Sequence, residues 1–198
     1  MEKVKDIFRR EAEAIKNIPI NGFYADVVDA IHTRVHIQKG KVITSGMGKA
    51  GQIAQNIATT LSSTGTPAIF LHPSEAQHGD LGVIQKNDIL FCISNSGKTR
   101  EILELLDLKA SLYDNIPVIV ITSDPESELA RRSDFLLLTG NPEEVCVLGL
   151  TPTTSTTVMT VIGDAVVVLL EEKIGFTRME YAKRHHGGYL GKKSREEH

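Results

Sequence analysis

The 198-residue sequence has no tryptophan, 5% aromatic residues and only two cysteines. Without indole rings it lacks the means for a base-stacking surface or an aromatic sugar platform, so ligand recognition must be polar. Cys92 and Cys146 form no CxxC pair and build no disulfide framework, and Cys92 lies in an apolar strand-like run, which fits a reducing compartment. The N-terminal stretch MEKVKDIFRREAEAIKNI is charged throughout and has no signal-peptide core, and no run is expected to reach bilayer-spanning length. A cytoplasmic protein without membrane partners is expected. The formal charge of -3 supplies no field that would gather nucleic acid, so an anionic ligand must be held by local donors.

Apolar residues at 41% and charged residues at 24% are ordinary for a globular chain, and the length suits one α/β domain over 1–198. Residues from about 2 to 37 carry helical periodicity in two pieces that split between Asn17 and Pro19. KVITS then leads into a glycine turn and the helix-like AGQIAQNIATTLSSTG. PAIFL, DILFCIS, IPVIVIT and DFLLL are further strand-like runs, interleaved with the helical patterns TREILELLDLKASLY and PESELARRS. A last helix is expected over about 152–173, followed by a glycine-containing tail over about 175–198. Continuous apolar strands alternating with helices predict a five-stranded parallel sheet covered on both faces. Right-handed crossovers make this a three-layer αβα sandwich, whose ligands sit beyond the carboxyl ends of the strands.

The turns at those ends carry the polar chemistry. Ser94, Asn95, Ser96, Gly97, Lys98 and Thr99 offer hydroxyls, an amide and backbone N–H groups at a helix start, a phosphate cradle in residue type, although serine-rich helix capping uses the same residues. The first glycine of a Walker A loop would fall at Cys92, which argues against a P-loop. The turn Gly46-Met47-Gly48-Lys49-Ala50-Gly51 matches GxGxxG, but the second strand is followed by His72 and Pro73 where a ribose-binding acid belongs, so a nicotinamide dinucleotide stays only as an alternative. Lys49 can place an ammonium near a developing oxyanion or a phosphate. HPSEAQHGDLG holds His72, Glu75, His78 and Asp80, a metal set in composition but irregular in spacing. Glu144 lies close to a hydroxyl cluster over 151–157, and His185 and His186 precede a glycine pair.

GMGKAG, STGTPAIFLHPSEAQHGDLG, ISNSGKTREI, LGLTPTTSTT and HHGGYLGK follow one another in that order. Together they resemble the sugar isomerase (SIS) domain of bacterial D-arabinose-5-phosphate isomerases over about residues 40–192. The chain differs from the usual pattern at Lys98, where a glutamate is common, at His186, where proline is usual, and at Tyr189, where a small residue is usual. The resemblance implies the SIS fold and interconversion of D-ribulose 5-phosphate and D-arabinose 5-phosphate through an enediol, for synthesis of the eight-carbon sugar acid Kdo and hence lipopolysaccharide. It implies no cofactor and no metal. Catalytic roles fall on Lys49, His78, Glu101, Glu144 and His185, with substrate contacts at Ser45, Gly48, His72, Ser94, Asn95, Ser96 and Thr99.

Within that resemblance Glu144 is the leading base, with Glu101 second, and burial is expected to raise the base's pKa toward neutrality. His185 is assigned to ring opening, His78 to the sugar oxygens and Lys49 to the enediolate. Relatives of this kind commonly form oligomers with shared active sites, so a homotetramer is expected. Many also carry paired CBS domains after the last motif, where this sequence stops, so feedback by CMP-Kdo is expected at or beside the active site. A sugar-phosphate-sensing module without turnover, and an isomerase of another ketose phosphate, remain the alternatives.

Overall fold

The computed structural model describes residues 1–20 and 22–196, so the last two residues of the expected tail lie outside the described residues. Five parallel strands form one sheet: β1 (Val42–Gly46), β2 (Ala68–Phe70), β3 (Ile89–Ile93), β4 (Val118–Thr122) and β5 (Phe135–Leu138), in the order β2-β1-β3-β4-β5. Ser45 of β1 stands opposite Cys92 of β3, and Ile93 of β3 opposite Ile121 of β4.

Side chains of the strands alternate between two apolar cores, as the pleat requires. Val42, Ile89, Phe91, Ile93, Ile119 and Ile121 face one side and pack against α2 (Phe23–Ile31), α3 (Gly48–Ser63) and α7 (Thr154–Ile174). Ile43, Leu90, Cys92, Val118 and Val120 face the other side. There they meet α4 (Pro73–Ala76), α5 (Arg100–Leu112) and α6 (Glu128–Arg131). Helix α5 presents Ile102, Leu105, Leu106 and Lys109, one stripe at helical spacing. Lys109 is buried because its Nζ donates to the carbonyls of Asp114 and Ile116 at 3.1 and 3.0 Å, which fixes the connection into β4. Burial pushes the Cys92 thiol up to about 12, so this cysteine is an inert core residue.

Helix α1 (Glu2–Lys16) lies outside both cores except at Ala14, and a π-helical turn, His32–Ile37, links α2 to β1. The described residues close in a helical hairpin of α8 (Arg178–Arg184) and α9 (Gly188–Glu196). One expectation is corrected. Helix α7, at 21 residues, is long and apolar enough to cross a membrane by length and composition. Its Val158, Met159, Ile162, Val166 and Leu170 are instead seated in the core under the sheet, which accounts for the apolar run.

Candidate active site

In a parallel sheet of this order the connections leave in opposite directions from β1 and β3, and the carboxyl ends of those two strands border an open crevice. The turn after β1 carries Gly48 and Lys49 to that crevice, and the turn after β3 carries residues 94–99. Helix α3 begins behind Met47 and α5 behind Thr99, both in extended backbone and neither with a side-chain cap. The first N–H groups of both helices thus lie at the crevice with no side-chain acceptor, an arrangement that favours an anion. Lys49, Asn95 and Ser96 line the turns beside them, and Lys49 and Asn95 are exposed. Ser94 is almost fully buried; its hydroxyl shares a hydrogen bond with that of Thr99 at 2.7 Å and accepts from Gly97 N at 3.2 Å, so it shapes the loop from within. Ser45 is also buried and donates to the Leu71 carbonyl at 2.7 Å. It ties β1 to the residue that follows β2, so its hydroxyl is engaged within the fold.

Glu144 lies between β5 and α7, with both carboxylate oxygens bonded to the start of α7. Oε2 accepts from Thr153 N at 2.7 Å, Thr153 Oγ1 at 2.9 Å and Ser155 N at 3.3 Å, and Oε1 accepts from Ser155 Oγ. Burial pushes the carboxyl upward, but the bonds from Ser155 and Thr153 together outweigh it and hold Glu144 below the usual carboxylate range. This corrects the expected direction, because the same residues that make the site polar also solvate the anion at a helix N-terminus.

His72 and His78 follow β2 at the same edge. The ring of His72 meets Phe70 edge-on at 6.2 Å, and its Nδ1 is buried with no hydrogen-bond partner, while His78 is exposed. Glu101 is half-buried in the first turn of α5. Among the described residues, the histidines and acids of this loop form no group able to hold a metal.

His185 is not brought to this edge of its own chain. It follows α8, where it stacks on Tyr181 at 3.7 Å and places Nδ1 3.0 Å from the Tyr181 carbonyl. The neighbouring Arg184 and Phe176 lie against Gly65, in the loop that feeds the amino end of β2. Parallel strands start at one edge and finish at the other, so this hairpin sits toward the edge opposite the crevice.

The SIS domain family model matches residues 37–169. The chain belongs to the SIS domain family. A structure from Bacteroides fragilis, described as a putative phosphosugar isomerase involved in capsule formation, superposes with a TM-score of 0.94 at 59% identity, covering 95% of this chain and 98% of that one. An Escherichia coli structure in complex with arabinose 5-phosphate superposes at 0.84 with 36% identity, covering 92% and 95%. Arabinose 5-phosphate isomerase KdsD of Yersinia pestis is 44% identical over 191 residues, 96% of this chain and 56% of the relative. The chain thus spans about half the length of the curated relatives it matches.

Several residues outside the predicted turns, Thr122, Ser123, Asp124 and Ser127, brace this SIS site. Ser127 donates to the Asp124 carbonyl and caps α6, Thr122 and Ser123 donate to the Asn95 carbonyl, and Lys98 pairs with Asp124 at 3.2 Å. The loop after β4 thereby braces the loop after β3. Gly97 sits at φ +62°, and a Cβ there would collide with the Ser127 side chain. Gly97→Ala is expected to destabilise the protein by about 2–4 kcal/mol, combining left-handed strain with loss of the α6 cap. Urea denaturation read at equilibrium checks this; a midpoint matching the wild type would show that the brace is dispensable.

Proposed function

We propose that this SIS domain, with its N-terminal helices and C-terminal tail, is an aldose–ketose isomerase that interconverts D-ribulose 5-phosphate and D-arabinose 5-phosphate through an enediol. The observation that carries this is the crevice between β1 and β3, where two uncapped helix starts and Lys49 face the position of an anion. The likeness to a protein in complex with arabinose 5-phosphate and to KdsD supplies the substrate class.

The phosphate is held by the N–H groups at the start of α5 with Ser96 and Thr99, which fixes the carbon chain relative to the base. In the ketose-to-aldose direction Glu144 takes a proton from C1, the electron pair forms the enediolate, and the proton returns to C2 while the O1 hydroxyl proton passes to O2 as the carbonyl forms at C1. Lys49 sits where its ammonium can neutralise the developing oxyanion, and His78 assists at the sugar oxygens. In the reverse direction His185, from a neighbouring subunit of a homotetramer, opens the furanose ring of D-arabinose 5-phosphate. Support for assembly comes from His185 lying away from its own crevice and from Val147, Leu148 and Leu150, which are exposed beside Glu144. CMP-Kdo, with a carboxylate and a phosphate, suits the donors of the same crevice and is read as a competing ligand, in a cytoplasmic pathway.

Incubating the purified protein with D-ribulose 5-phosphate and resolving the pentose phosphates is expected to yield D-arabinose 5-phosphate without added cofactor. Tight sugar-phosphate binding with no interconversion would favour the sensing role, and turnover of only a longer ketose phosphate would reassign the substrate.

A further inference from the structure

We infer that helix α1 positions the catalytic carboxylate, through Arg10 and Glu11, and that these two side chains set turnover without touching substrate. Neither lies within residues 37–169, which carry the family match.

The segment bearing Glu144 is held from outside the sheet by two adjacent residues of one helix. Arg10 Nη2 donates to the Glu144 backbone carbonyl at 3.2 Å and lies 3.8 Å from the Glu143 carboxylate. Glu11 Oε1 accepts from Thr154 Oγ1 at 3.0 Å, and the Val145 amide is shared between that hydroxyl and Thr153 Oγ1, each at 3.2 Å. The carbonyl of Glu144 is therefore tied to α1 directly, and the next amide through the Thr154 half of its shared bond. On the other side, the Glu144 carboxylate is tied to Thr153 and Ser155. The base is thus clamped between α1 and the start of α7.

A purely structural seam explains this poorly. Glu11 Oε2 is buried with no hydrogen-bond partner, so the contact leaves a carboxylate oxygen desolvated and uncompensated. An apolar residue at position 11 would pack α1 on α7 without that cost. The acid makes sense if the Thr154 hydroxyl must be oriented, because it then receives the Val145 amide on its free lone pairs. Helix α1 has no buried residue, so it contributes little to the core and can be altered without removing core packing.

This inference rests on Glu144 being the base. Small displacements of a positioned group cost large factors in rate, so Arg10→Ala and Glu11→Ala are each expected to lower kcat about tenfold with KM for D-arabinose 5-phosphate unchanged. Glu11→Gln keeps an acceptor for Thr154 and should stay near wild type. A cleft of about 330 Å³ lined by Arg9, Arg10, Glu13, Asn17 and Gly140 opens beside the lost guanidinium. Millimolar guanidinium chloride, but not sodium chloride at equal ionic strength, should therefore restore part of the activity of Arg10→Ala. Wild-type kcat in both alanine variants, or a loss that tracks a fall in Tm and is not rescued, overturns the inference while leaving the base assignment standing. An inactive wild type, or a fully active Glu144→Gln, overturns the base assignment and this inference with it.

Discussion

Glu144→Gln is expected to lower kcat at least about a hundredfold while substrate binding survives, since general acid–base catalysis contributes roughly 10² to 10⁴. The substitution keeps shape and one acceptor oxygen but removes the charge that Thr153 and Ser155 solvate. Because those bonds hold the folded pKa below the usual value, the stability they contribute is full above about pH 4.3 and is lost as pH falls through the folded pKa. The acid limb of kcat/KM that belongs to Glu144 in the free enzyme lies below that same value, so a limb at higher pH reports another group. Rates for both proteins between mildly acidic and neutral pH, with calorimetric titration of D-arabinose 5-phosphate, provide the check. Near-normal exchange of the substrate C2 hydrogen with solvent in Glu144→Gln would move the role to Glu101.

Mixing Lys49→Ala with His185→Ala, each inactive alone, is expected to recover a substantial fraction of activity after subunit exchange. Lys49 opens α3 at the crevice, whereas His185 follows α8 near the loop that feeds β2. One chain does not bring the two together, and the proposed assembly would supply His185 from a second subunit. A mixed assembly containing both variants can present one site with intact Lys49 from one subunit and intact His185 from the other. Exchange is confirmed by native mass spectrometry on differently labelled chains. No recovery despite confirmed exchange would mean that each site is complete within one chain.

The layered sheet is legible in the sequence because its signals are local. KVITS, PAIFL, DILFCIS, IPVIVIT and DFLLL are short apolar runs separated by helical periods, and they form β1 to β5 with boundaries shifted by only a residue or two. The helix expected over about 152–173 forms as Thr154–Ile174. The placement of the polar turns after β1, β2 and β3 at one edge is also legible, since strand–turn–helix junctions in a parallel sheet all open at one edge. Residue type marks Ser45 and Ser94 as polar residues of those turns, but it does not reveal which way a hydroxyl points. The structure turns both inward.

Sequence alone determined the αβα architecture and the grouping of Lys49, residues 94–99 and Glu101 at one edge, because each follows from periodicity and turn composition within a few residues. Tertiary structure decided what depends on distant partners. It set the ionisation of Glu144 through residues of α7, placed His185 toward the far edge through the packing of Phe176 and Arg184 on Gly65, and brought Arg10 and Glu11 against a segment more than a hundred residues away. Hydrogen bonds and desolvation act through space, so a carboxylate's pKa and a side chain's reach are fixed only when the fold has chosen its neighbours.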